Sequence, residues 1–96
     1  MNSNTKKTIK LEADLCHNWG FARYQSAFLA LVDALKKENY EVTYTVNKVK
    51  KSGALEVYVV EGTKKNKVFS KIDSGSWLDE EMIINTVGII KNMWKN

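Results

Sequence analysis

An α/β sandwich is the fold class this chain predicts: a four-stranded mixed sheet with two helices, in the order β-α-β-β-β-α. Three observations predict it. Apolar residues alternate at period two in four separate segments, the mark of strands with one buried face. In two other segments they recur at three- and four-residue spacing, the mark of amphipathic helices. The connections also differ. A helix-length segment joins the first strand to the second, as a parallel pair requires, whereas a short polar turn joins the third to the fourth. A chain of 96 residues is expected to form one domain with a real but modest core.

Residues 1–8 are polar and are expected to form a disordered tail, leaving a single domain over residues 9–95. Ile9, Leu11, Ala13 and Leu15 alternate with Lys10, Glu12 and Asp14, which makes the first strand. Cys16 to Trp19 read as a short loop. From Gly20 the period changes. Phe21, Tyr24, Phe28, Leu31, Val32 and Leu35 form one stripe of a helix ending near Asn39, and its aromatics are expected in the core. Lys36 and Lys37 sit where the negative end of the helix dipole favours cations.

Tyr40, Val42, Tyr44 and Val46 alternate again, with β-branched Thr43 and Thr45 between them, as a second strand. Lys48, Lys50, Lys51, Ser52 and Gly53 make a basic turn. Leu55, Val57 and Val59 begin a third strand, residues 62–66 read as a hairpin loop, and residues 68–72 form the fourth strand. Residues 73–76 break the chain. Asp79, Glu80 and Glu81 fall in the first turn of the last helix, and Ile83, Val87, Ile90 and Trp94 line one of its faces. The first strand–helix–strand unit is expected to be a right-handed parallel crossover. A sheet of this kind with both helices packed on it is the thioredoxin-like arrangement.

Composition narrows the function classes. Hydrophobic residues make up 44% and charged residues 27%, ordinary values for a globular protein. The net charge of +4, from 15 basic and 11 acidic residues, is too mild to imply a nucleic-acid partner. One cysteine excludes an internal disulfide and a Cys-rich zinc site, and points to a reducing compartment. With one histidine beside it, a metal site lacks ligands. No apolar stretch follows the opening residues and no window reaches the length of a membrane span, so neither a signal peptide nor a membrane association is expected. The cytoplasm is the default location.

The chemistry concentrates in LCHNWG, Leu15 to Gly20, which holds both the single cysteine and the single histidine. A reactive cysteine must be a thiolate. Its ordinary pKa of roughly 8.5 falls to about 3.5–7.5 near a helix N-terminus or a cation. Cys16 lies just before a helix, where unpaired backbone N–H groups and the dipole favour an anion. His17 could add positive charge or a hydrogen bond, Asn18 belongs to the same loop, and Gly20 allows a tight turn and close approach of a partner thiol. In a thioredoxin-like fold the loop before the third strand faces this site, which sets Ser52 and Gly53 beside Cys16.

Cys16-His17-Asn18-Trp19-Gly20-Phe21 resembles the Cys-x-x-Sec/Cys-Gly-Tyr/Phe motif of the selenoprotein W-like family, which includes selenoproteins T and H. Ser52-Gly53-Ala54-Leu55-Glu56-Val57 is similar to that family's Gly-x-Phe-Glu-Val segment, with Leu55 for the usual Phe. Phe69-Ser70-Lys71 and Gly75-Ser76-Trp77 are similar to its Phe/His-Ser-Lys and Gly-Gly-Phe segments. The resemblance runs over residues 9–94. It implies a thioredoxin-like fold and thiol or selenol redox exchange with protein thiols or glutathione, glutathione being a co-substrate rather than a bound cofactor. The family lacks the cis-proline of thioredoxins, and this chain has no proline at all.

The departure falls on residue 19, where the family carries selenocysteine or cysteine and this chain carries Trp. Selenocysteine is encoded by UGA, a codon that some translation systems read as tryptophan. Two readings stay open. With Trp19 the chemistry is monothiol: Cys16 is oxidised to a sulfenic acid or mixed disulfide, which another thiol resolves. With selenocysteine the selenol attacks, and Cys16 resolves it through a selenenylsulfide. The resemblance thus assigns Cys16 and position 19 as the redox pair, with His17, Asn18, Gly20, Ser52 and Gly53 as binding residues.

Blander readings stand beside these. A cysteine at a strand end is often buried and inert. His17 also reads as an exposed loop residue, and Trp19 as a loop cap or an aromatic offered to a regulatory protein partner. On that alternative the chain is a non-catalytic interaction module that has lost its second redox residue. Lys48, Lys50, Lys51, Lys64, Lys65, Lys67 and Lys71 cluster around the third and fourth strands and could bind phosphates or an acidic protein. Hairpin lysines also protect sheet edges, and no RNA-binding signature accompanies them.

Overall fold

A computed structural model of the chain describes residues 7–18 and 20–93; Trp19, Trp94 and the first six residues lie outside the described residues. Strand β1 spans Lys7–Cys16, and its alternating Ile9, Leu11, Ala13 and Leu15 are completely buried. It begins earlier than the expected tail boundary. Lys7 and Thr8 pair with Tyr40 and Glu41, because parallel pairing runs the full length of both strands.

Helix α1 spans Phe21–Lys37 and buries Ala27, Phe28, Leu31, Val32 and Leu35. Phe21 and Tyr24, expected in the core, are half-buried at its rim, in the helix's first turn. The helix stops where Glu38 N–H donates to the carbonyls of Ala34 and Leu35 and Asn39 turns left-handed at φ 72°. Asparagine tolerates that conformation better than other side chains do.

Strands β2 (Tyr40–Val49), β3 (Leu55–Glu61) and β4 (Lys64–Ser70) complete a mixed sheet of order β2-β1-β3-β4. β1 pairs parallel with β2 and antiparallel with β3, and β3 pairs antiparallel with β4. This is the thioredoxin-like arrangement, with an added turn of helix. The β3–β4 connection is shorter than the expected loop. Gly62 at φ 63° and Thr63 make the turn, while Lys64, Lys65 and Asn66 already pair with Glu61, Val60 and Val59. A glycine with positive φ at the first central position suits a two-residue hairpin.

β4 ends at Ser70, not at Ile72. Residues Lys71–Ser74 form a one-turn helix, α2, so the described residues contain three helices rather than two. Ser70 caps it by accepting the Asp73 N–H at 2.8 Å, and Gly75 ends it at φ 72°. Helix α3 spans Glu80–Met93. Asp79 stands just before it and accepts the Met82 N–H at 3.0 Å, acting as its cap rather than as part of its first turn.

α1 and α3 touch each other and share one core with β1, β3 and β4, so both lie on the same face of the sheet. The alternate strand residues build a polar network on the other face. Asn47 donates to Glu12 at 2.7 Å and to Asp14 at 2.9 Å, and Lys65 lies 3.3 Å from Glu12. Among the described residues, no helix is long and apolar enough to cross a membrane.

Candidate functional site

Backbone hydrogen bonds fix the loop that carries the cysteine. Cys16 closes β1 and is 6% exposed. Its N–H donates to the Ala54 carbonyl at 2.8 Å, and the His17 N–H donates to the Val49 carbonyl at 2.9 Å. The strand end is thereby tied both to the end of β2 and to the turn before β3. After His17 the chain folds back: Phe21 N–H donates to the Asn18 carbonyl at 2.9 Å, and Gly20, at φ 114°, opens α1.

A cavity of about 580 Å³ lies over this junction, lined by Cys16, Asn18, Gly20, Tyr24, Ser52, Gly53 and Lys71. Cys16, Asn18, Gly20, Ser52 and Gly53 are thus brought together. His17 is exposed and does not line the cavity. Trp19 lies outside the described residues. Tyr24 and Lys71 are additions: Tyr24 reads as core in the sequence, and Lys71 as one lysine of a basic cluster.

The cavity wall favours a thiolate. Backbone amides hold the Cys16 thiol below its ordinary pKa, that of Asn18 contributing most and that of Gly53 next. Burial opposes them, and the Ala54 amide and the Lys71 ammonium add smaller contributions. The physical cause is hydrogen bonding to the charged form outweighing its desolvation.

Lys71 is aimed by the strand register. β3 and β4 set Ser70 opposite Glu56, a carboxylate only 7% exposed. Glu56 accepts the Ser70 hydroxyl at 2.5 Å and the Ile72 N–H at 3.4 Å, and ion-pairs with Lys67 at 3.3 Å. The first turn of α2 is thereby pinned to β3. It delivers Lys71 to the rim, where the ammonium lies 5.8 Å from the Tyr24 ring centroid. Gly53, at φ 77°, leaves room for it: a Cβ there would stand 3.3 Å from the Lys71 nitrogen. Tyr24 in turn meets Trp77 edge-on, centroids 5.0 Å apart, and Arg23 lies 5.1 Å above the Trp77 ring.

Other lysines of the basic cluster have internal partners. Lys65 and Lys67 lie 4.7 and 5.8 Å from the Tyr58 ring as well as beside Glu12 and Glu56, and Lys48 lies 4.9 Å from the Phe21 ring. Among the described residues, no group of three or more His, Cys, Asp or Glu is placed to hold a metal. No family model, no curated protein and no solved structure matches the chain.

Proposed function

We propose that the chain is a thiol redox protein that exchanges disulfides through Cys16, with glutathione or protein thiols as co-substrates, as in the selenoprotein W-like family it resembles. One observation carries the reading: the Cys16 thiol lines an open cavity together with Asn18, Gly53 and Lys71, and the backbone amides and ammonium of that wall hold it below its ordinary pKa. A second supports the resemblance. Cys16, Asn18, Gly20, Ser52, Gly53, Lys71 and, through Tyr24, Trp77 all meet at this cavity, although they come from separate stretches of the sequence.

The chemistry follows from the wall. The Cys16 thiolate attacks one sulfur of a disulfide R–S–S–R. A new Cys16–S bond forms, the old S–S bond breaks, and its electron pair leaves on the departing thiolate, which takes a proton from water. The disulfide is the oxidant. With Trp at position 19 the chain holds no second thiol to resolve the adduct, so an external thiolate attacks the mixed disulfide and restores Cys16. A single unpaired cysteine suits a reducing compartment, and we place this activity in the cytoplasm.

The test is alkylation of Cys16 against pH, with intact mass after incubation with glutathione disulfide. The proposal expects a titration midpoint below that of a free thiol, one glutathione adduct per chain, its removal by reduced glutathione, and no adduct on Cys16→Ser. A thiol that neither labels near neutral pH nor accepts glutathione overturns it.

A further inference from the structure

We propose that Lys71 is the specificity residue of the Cys16 cavity: its ammonium receives an acidic group of the incoming disulfide, so the site selects disulfides that carry a carboxylate. The inference rests on the redox reading of Cys16 and names the substrate class of that site.

Lys71 carries an unspent charge. The acids nearest its segment, Glu56 and Asp73, are both held by Lys67, at 3.3 and 3.5 Å. Among the described residues no carboxylate forms an ion pair with Lys71. Its attraction to the Cys16 thiolate is a smaller contribution than those of the backbone amides. What remains is a half-buried lysine, its ammonium carrying three N–H donors, lining a cavity shared with the sulfur.

Its position is built. Gly75 N–H closes α2 on the Lys71 carbonyl at 2.9 Å, and Glu56 holds the next residue's N–H. Tyr24 backs the side chain, and Gly53 admits it where any Cβ would crowd it. A volume of about 580 Å³ exceeds what a disulfide bond needs and accommodates the groups attached to it. A carboxylate a few bonds from the attacked sulfur reaches the ammonium while the sulfur faces Cys16. The reaction is the exchange written above, with the R group bearing the acid.

The experiment compares three small symmetrical disulfides: 3,3′-dithiodipropionate (acidic), 2-hydroxyethyl disulfide (neutral) and cystamine (cationic). Rate constants for adduct formation on the full chain are divided by those of a free small thiol, which removes differences in leaving group. The wild type is expected to prefer the acidic over the neutral disulfide by about fivefold to tenfold, the range of a partly exposed charge-assisted contact. The preference should shrink as salt rises. Lys71→Met should abolish it and Lys71→Arg retain it. A normalised ratio near unity in the wild type, or one unchanged in Lys71→Met, overturns the inference while leaving the redox reading intact. Failure of Cys16 to react with all three overturns both.

Discussion

The Cys16 thiol is buried, and groups that are mostly backbone hold it below its ordinary pKa. Its lowered pKa has a consequence for stability whose sign is fixed. Because the folded value lies below the unfolded one, the thiolate stabilises the fold fully above the unfolded pKa and loses that contribution as pH falls through the folded pKa. The wild type should therefore gain stability relative to Cys16→Ser as pH rises across this window, read by urea denaturation at a series of pH values. A flat difference would mean that the amides do not reach the sulfur. Gly53 tests the same wall from the other side. Gly53→Ala forces a side chain into φ 77° and against Lys71. It should cost about 1–2 kcal/mol and raise the Cys16 midpoint by displacing the ammonium. Residue 19 has its own test, the codon and the native mass. Under the proposed redox reading, UGG with Trp predicts monothiol exchange, with oxidised protein carrying an external adduct; UGA with a selenium signature predicts an internal selenenylsulfide. At this scale the sequence was only partly legible. Cys16, Asn18 and Gly20 fall within one five-residue stretch, so their proximity needed no fold. Lys71 could not be told from six other lysines until the pairing of Ser70 with Glu56 aimed it.

The elements were legible in proportion to their length. Seven residues of alternation, Ile9 to Leu15, declare β1, and a stripe at helical spacing from Phe21 to Leu35 declares α1. One turn of helix has no period to read, which is why α2 was hidden; its signals are Ser70 before it and Gly75 after it. The start of β4 was hidden for another reason. Lys64, Lys65 and Asn66 have loop composition, yet they pair along β3, and Lys65 and Lys67 find carboxylates across the sheet. Glu56 is the joint between β3 and α2. Glu56→Gln should lower stability by about 1–3 kcal/mol and also raise the Cys16 midpoint, because Lys71 loses its fixed base; stability loss with an unchanged thiol titration would separate the joint from the site. Asn47 plays the corresponding part between β1 and β2. Its hydrogen bond is the main cause holding Glu12 below the usual carboxylate range, with Lys65 next. Asn47→Ala should cost about 1 kcal/mol near neutral pH. The cost should shrink as pH falls through the folded pKa of Glu12, where that contribution is lost in the wild type too; a pH-independent cost would assign it to packing alone.

The whole molecule is a compact globule with a Cα radius of gyration of 13.4 Å and one core, and that core has little to spare. Phe28 is fully buried beneath α1 and meets Tyr44 edge-on, centroids 5.4 Å apart. Phe28→Ala should cost about 3–5 kcal/mol, against a total of about 5–15 kcal/mol for a domain. Thermal melting should show a largely unfolded or severely weakened chain. The layer order was legible from the alternation itself, since only one face of each strand is apolar enough to carry helices. The placement of Lys71 at the cavity, with Glu56 and Asp73 held by Lys67, was not, because it depends on which lysine meets which acid.

The position of β1 in the sheet has a consequence for how the chain comes into being. It is made before the other strands and, among the described strands, is the one flanked on both sides by strands made later, with Leu11 beside Tyr44 on one edge and Val59 on the other. Its apolar face therefore emerges long before the neighbours that cover it. Nascent chains stalled with β3 free of the exit tunnel still lack Val68, Phe69, Leu78, Val87 and Ile90 of the core; only those that have released α3 can close it. Such shorter intermediates should bind a chaperone of nascent chains and yield to protease, and both properties should disappear together once Met93 has cleared the tunnel.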